Sequence, residues 1–104
     1  MKEIRVVSVA EEELFAAAKY YEEQQQNLGL DFITETERAM DTIAADPTLW
    51  AIRFENFRRF LLQRFPFEIW YEDHPEFIRI LAIAHQRRRP FYWNRRVDGE
   101  FPGI

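Results

Sequence analysis

Cysteine is absent from the 104 residues, which excludes disulfides and thiol chemistry and fits an expected cytoplasmic location. Glycine occurs only at Gly29, Gly99 and Gly103, so there is no Gly-rich turn to cradle a phosphate. His74 and His85 are the only histidines, and Glu72, Asp73 and Glu76 beside His74 have no recognised metal-ligand spacing. No metal and no cofactor are expected. No run approaches the roughly 18 apolar residues of a membrane span. Lys2, Glu3 and Arg5 stand where a leader would need an apolar segment. No serine has a convincing base, and Glu12 and Glu13 read as helix-start residues rather than an acid–base pair.

What is present is aromatic mass and unevenly placed charge. Ten Phe, four Tyr and three Trp supply much of the core, and a chain of this length makes one domain that buries about two-thirds of its unfolded surface. Net charge is −4. Residues 1–50 hold eleven acidic and four basic side chains, whereas residues 51–104 hold seven acidic and ten basic, all ten being Arg. Five of those Arg stand between Ala84 and Arg96, together with His85, Phe91, Tyr92 and Trp93. Guanidinium is permanently charged and donates bidentately, and rings beside it stack on bases or fill hydrophobic pockets. Two readings stay open: a face for an anionic surface, or Arg paired with carboxylates of this chain or a partner.

Residues 2–8 read as a strand, with β-branched Val6-Val7. Ser8 is a candidate helix cap, with Glu11, Glu12 and Glu13 in the first turn. Leu14, Ala17, Ala18, Tyr21, Gln25 and Leu28 follow at helical spacing, and Gly29 is expected to end this helix. A second helix over 30–45 buries Phe32, Ile33, Thr36, Ala39, Met40 and Ile43 before Asp46-Pro47 stops it. Residues 46–57 read as a connection, tied to the core by Trp50, Phe54 and Phe57. Extended runs follow at 58–65, 67–72 and 77–84. In the last, Phe77, Arg79, Leu81 and Ile83 are expected on one face and Ile78, Ile80, Ala82 and Ala84 on the other. The expectation is an α+β domain over 1–96, β-α-α-β-β-β, with an N-terminal strand, an antiparallel two-helix hairpin and an antiparallel three-strand meander. The first strand returns to the edge or the centre of that sheet, and 97–104 form a loosely held tail.

Three segments in this order carry a resemblance. They are Ala16-Ala17-Ala18-Lys19-Tyr20-Tyr21-Glu22 with Leu28-Gly29 and Phe32; Arg59 to Tyr71; and Ile80 to Pro90 with Tyr92-Trp93. Together they resemble ParE-type toxins of the RelE/ParE superfamily, known from plasmid stabilisation modules. The resemblance implies the toxin of a type II toxin–antitoxin pair, neutralised by a cognate antitoxin and touching DNA only through it. ParE-like members inhibit DNA gyrase by binding, whereas RelE-like members cut messenger RNA on the ribosome. A non-toxic relative that retains antitoxin binding is the third possibility, and fold cannot decide among them.

RNA cleavage through a 2′-hydroxyl needs a proton acceptor, cations on the phosphate and a donor for the leaving oxygen. The ribonuclease reading assigns these to Arg64 and Arg87 as phosphate clamps and to His85 and Tyr92 as proton carriers. Residues 45–75 contain no Lys, although the resemblance to the ribonuclease branch calls for Lys there, and Arg is a poor proton carrier. The binding reading assigns target or antitoxin contact to Arg59, Arg64, Arg79, Arg87, Arg88, Tyr92, Trp93 and Tyr20. Plainer roles stand beside these: His85 fixing the strand exit through a ring nitrogen, Tyr92 and Trp93 as packing residues, Trp50 and Trp70 as core or interface anchors. Tyr21 lies on the apolar stripe, and Tyr20 is turned about 100° from it.

Overall fold

Seven elements are present in the computed structural model, which describes residues 1–94 and 96: β1 (Glu3–Val6), α1 (Ser8–Gln24), α2 (Leu28–Ala45), β2 (Ile52–Phe54), β3 (Phe57–Leu61), β4 (Phe67–Asp73) and β5 (Phe77–His85). The tail expected at 97–104 lies outside the described residues. The strands form one sheet in the order β1-β5-β4-β3-β2. β1 runs parallel to β5, with Val6 opposite Ile80, and β2 to β5 form an antiparallel meander. The expected α+β architecture is therefore present, and the open question about β1 is answered: it takes the edge beside β5.

The helix hairpin turns differently from expectation. The first helix ends at Gln24, and Gly29 lies in the first turn of the second. Asn27 makes the turn with φ 71°, a left-handed conformation that Asn tolerates. The Glu22 carboxylate then accepts the N–H groups of Asn27 (2.8 Å) and Gly29 (3.0 Å), so α1 supplies the cap for α2. Gly29 is needed for close approach: a Cβ there would stand 2.3 Å from the Ala18 carbonyl oxygen. Nor does Ser8 cap α1. Val7 precedes the helix in extended conformation, with no side-chain cap.

One core lies between the helices and the sheet. Phe32, completely buried, is ringed by Tyr21, Phe65 and Phe67, with centroids 5.5, 5.1 and 4.9 Å away. Such pairs add about 0.5–1.5 kcal/mol each beyond area burial. A second core of Phe57, Trp70, Leu81, Ala82, Ala84 and Trp93 occupies the opposite face of the sheet. The β4–β5 register shifts between Trp70 and Tyr71: Trp70 faces Ala82, but Tyr71 faces Ile80. The extra residue in β5 breaks strict alternation. Ile83 consequently joins Ile78 and Ile80 in the helix-side core, whereas Leu81 and Ala82 both belong to the other core. This corrects the expected grouping of Ile83 with Leu81.

Residues 46–57 contain a fourth meander strand, β2, which pairs with β3. Ile52-Arg53-Phe54 is too short to reveal its period, and Ile52 and Arg53 are exposed. The hydroxyl of Tyr71 donates to the Pro47 carbonyl at 2.7 Å and pins the start of this connection. β3 ends at Leu61 rather than 65, because Leu62 and Phe65 fold into the helix-side core ahead of Pro66.

Candidate functional site

The chain leaving β5 turns back over the outer face of the sheet. Gln86 donates its N–H to the Pro66 carbonyl (2.8 Å) and Arg88 donates to the His85 carbonyl (3.0 Å). The N–H of Arg87 donates to Nδ1 of His85 at 3.0 Å, so that nitrogen accepts and a neutral ring carries its proton on Nε2. The His85 ring meets Phe67 edge-on, 5.1 Å between centroids. Trp93, only 1% exposed, inserts between Phe57 (5.1 Å) and Trp70 (4.8 Å). Phe91 stacks on Phe54 at 4.5 Å. Burial of Trp93, with the stacking of Phe91 on Phe54, holds the returning segment on the sheet.

Beyond Ile80, β1 no longer covers the edge of β5. The exposed backbone there is satisfied by side chains. Glu13 of α1 accepts the N–H of Ile83 at 3.0 Å. Arg96 donates to the Leu81 carbonyl at 2.8 Å and to both Glu13 oxygens at 3.0 Å. The Tyr92 hydroxyl also donates to Glu13. Burial, then the hydrogen bond to Glu13 and its negative charge, push the Tyr92 hydroxyl well above the usual tyrosine value, against the opposing pull of Arg96 and Arg88. It therefore stays protonated at neutral pH and committed to Glu13.

Between the returning segment and β2 to β5 lies a cleft of about 230 Å³. Arg53, Arg59, Arg88 and Arg89 line it, with Glu68 and His85; Trp70, Phe91, Tyr92 and Trp93 supply apolar wall. Arg59 is shared with Glu68 at 3.6 Å, and Glu68 also accepts the Trp70 indole N–H at 2.9 Å. Arg88 lies over the Tyr92 ring, 3.8 Å from its centroid. Arg53, Arg88 and Arg89 are exposed and make no ion pair with any described residue. Three guanidiniums without an ion pair among the described residues, beside an aromatic wall, suit carboxylate or phosphate groups of a partner.

The residues singled out from sequence separate in space. Arg59, His85, Arg88 and Tyr92 meet at the cleft. Trp93 is there too, but its burial removes it from any contact surface. Arg64 faces α2 and pairs with Asp31 at 3.5 Å. Arg79 is held by the buried Glu72 at 2.7 Å, which His74 also approaches at 3.2 Å. His85 lies six positions after Arg79, about 20 Å along the strand. Arg87 is exposed but does not line the cleft. Tyr20, 57% exposed, lines a separate hollow with Ala17, Tyr21, Phe67 and His85. Of the four residues of the ribonuclease reading, His85 and Tyr92 line the cleft, whereas Arg64 and Arg87 do not. Glu13, Arg53, Arg89 and Arg96 had no site role assigned from sequence. Glu13 flanks the apolar stripe, three residues after Ala10 and four before Ala17, which was a readable signal; Arg53 carried none without β2.

These features define a RelE/ParE-like toxin fold. Residues 4–90 match the family described as ParE toxin of the type II toxin–antitoxin system parDE, and the chain belongs to that family. Among solved structures, it is similar to a chain of the chromosomal ParDE TA system from P. aeruginosa, with TM-score 0.72 and 19% identity, covering 82% of this chain and 96% of that one. Comparison with curated protein sequences gives no match.

Proposed function

We propose that this ParE-family toxin acts by binding, that DNA gyrase is its target, and that a cognate antitoxin neutralises it. The cleft surface contributed by Arg53, Arg88 and Arg89, with Arg59 behind them, is the proposed target contact. The observation that carries this reading is the state of the proton carriers. The Tyr92 hydroxyl is spent on Glu13, Nδ1 of His85 is spent on the Arg87 N–H, and Glu68 is shared between Arg59 and Trp70. Among the described residues, what keeps donors for a partner is the Nε2 of His85 and the guanidiniums, and guanidinium neither takes nor gives a proton at neutral pH. That favours electrostatic capture of a partner over turnover.

Expression of the chain with and without the antitoxin tests this. The expected result is loss of plasmid supercoiling in the absence of antitoxin, with messages intact. Codon-phased cuts in ribosome-bound messages, with supercoiling preserved, contradict it and favour the ribonuclease. Normal growth with abundant folded protein points to a relative that has lost toxicity.

A further inference from the structure

Glu13 is a half-buried carboxylate that target binding leaves unused, and it does not line the cleft. It nevertheless gathers donors from three places: the Ile83 N–H, the Tyr92 hydroxyl and two nitrogens of Arg96. Four donors fill the acceptor sites of an ionised carboxylate. The Glu13 and Arg96 side chains are only 14% and 13% exposed, so solvent screens the pair weakly. Tyr92 is fixed at its hydroxyl end by this clasp, and its ring is the platform on which the Arg88 guanidinium rests at 3.8 Å. Among the described residues Arg88 makes no ion pair, and its guanidinium contact there is the Tyr92 ring. Guanidinium over a ring keeps its edge donors free for a partner.

We propose that Glu13 is a positioning residue for the basic cleft: by anchoring Tyr92 it holds Arg88 at the cleft and strengthens target capture without touching the target. This rests on the reading of the cleft as the target-contact surface. A Glu13 that served only as a strut would affect melting while leaving the order of Arg88 and the affinity for target unchanged.

The test uses the full chain as wild type, Glu13→Ala, Glu13→Gln and Tyr92→Phe. The first readout is the NMR shift of the Arg88 side-chain protons, displaced upfield by the Tyr92 ring. The second is inhibition of purified gyrase. In Glu13→Ala, the Arg88 shifts move to values of an unstructured Arg and inhibition weakens about tenfold or more, the scale of one lost charge-assisted hydrogen bond. Glu13→Gln, whose amide oxygen still accepts, retains part of both. Tyr92→Phe keeps the Arg96 pair and shows a reduced Arg88 shift, so it carries the test if Glu13→Ala does not fold. Unchanged Arg88 shifts in the folded variants overturn the proposal, as does wild-type inhibition once Arg88 is loosened. If wild type itself leaves gyrase untouched, the gyrase reading fails, and the Arg88 shifts still decide whether Glu13 positions the cleft.

Discussion

Arg88 rests on Tyr92, its guanidinium carbon 3.8 Å from the ring centroid, whereas Arg59 in the same cleft is shared with Glu68 at 3.6 Å. A cation on a ring keeps its hydrogen-bond donors, and one facing a carboxylate has spent some of them. Arg88→Glu combined with Arg89→Glu should therefore weaken gyrase inhibition about tenfold or more. Both positions are exposed, so stability should move by no more than about 0.5 kcal/mol. Arg87→Glu, outside the cleft, should have the smaller effect. Titration of gyrase inhibition alongside thermal melting checks all three.

Leu81 is fully buried in the outer core, where the β5 bulge places it with Trp70 and Trp93. Leu81→Ala should cost about 2–5 kcal/mol, from lost transfer energy plus the residual cavity. Urea denaturation reads this directly. An unchanged midpoint contradicts the burial of Leu81.

Gly29→Ala should also destabilise the protein, by about 1–3 kcal/mol. The added Cβ meets a backbone carbonyl, Ala18 O at 2.3 Å, and Glu22 Cβ at 3.0 Å. Backbone in a packed helix yields only if the two helices separate. A stabilised variant would show that α1 and α2 stand further apart.

Alkaline pH should weaken the fold through Tyr71. Burial is the leading cause that raises its hydroxyl from 10.0 to about 12; Asp73 and Asp46 add to this, and Arg58 opposes it. Below pH 10 folded and unfolded chains both hold this proton, and its contribution is fully present. Between 10 and 12 the unfolded chain releases it first, so stability falls as pH rises. Melting temperature measured from pH 9 to 12 should decline, and Tyr71→Phe should decline less steeply. A variant that tracks wild type contradicts this assignment.

The periodic parts of the fold were legible in the sequence. Phe32, Thr36, Ala39, Met40 and Ile43 line the buried face of α2 as their spacing requires, because packing on a helix repeats every turn. The β5 bulge was invisible, since an apolar strand buried on both faces reads the same in either register. Gly29 signalled a helix end, yet serves a contact with Ala18 eleven residues earlier. Of the site, Arg59, His85 and Arg88 were readable as a charged strand and its exit. The Glu13–Arg96 pair, 83 residues apart in sequence, was beyond any local pattern. Trp93 was readable either as a packing residue or as a contact residue, and the return of the chain over the sheet buries it.

We propose capture of gyrase by the guanidiniums of the cleft. Its most direct test is a supercoiling assay with purified gyrase and increasing wild-type toxin or an Arg53→Glu/Arg88→Glu/Arg89→Glu variant, with folding verified by circular dichroism. Wild type should block supercoiling, and the folded variant should not. Equal inhibition by both proteins contradicts it.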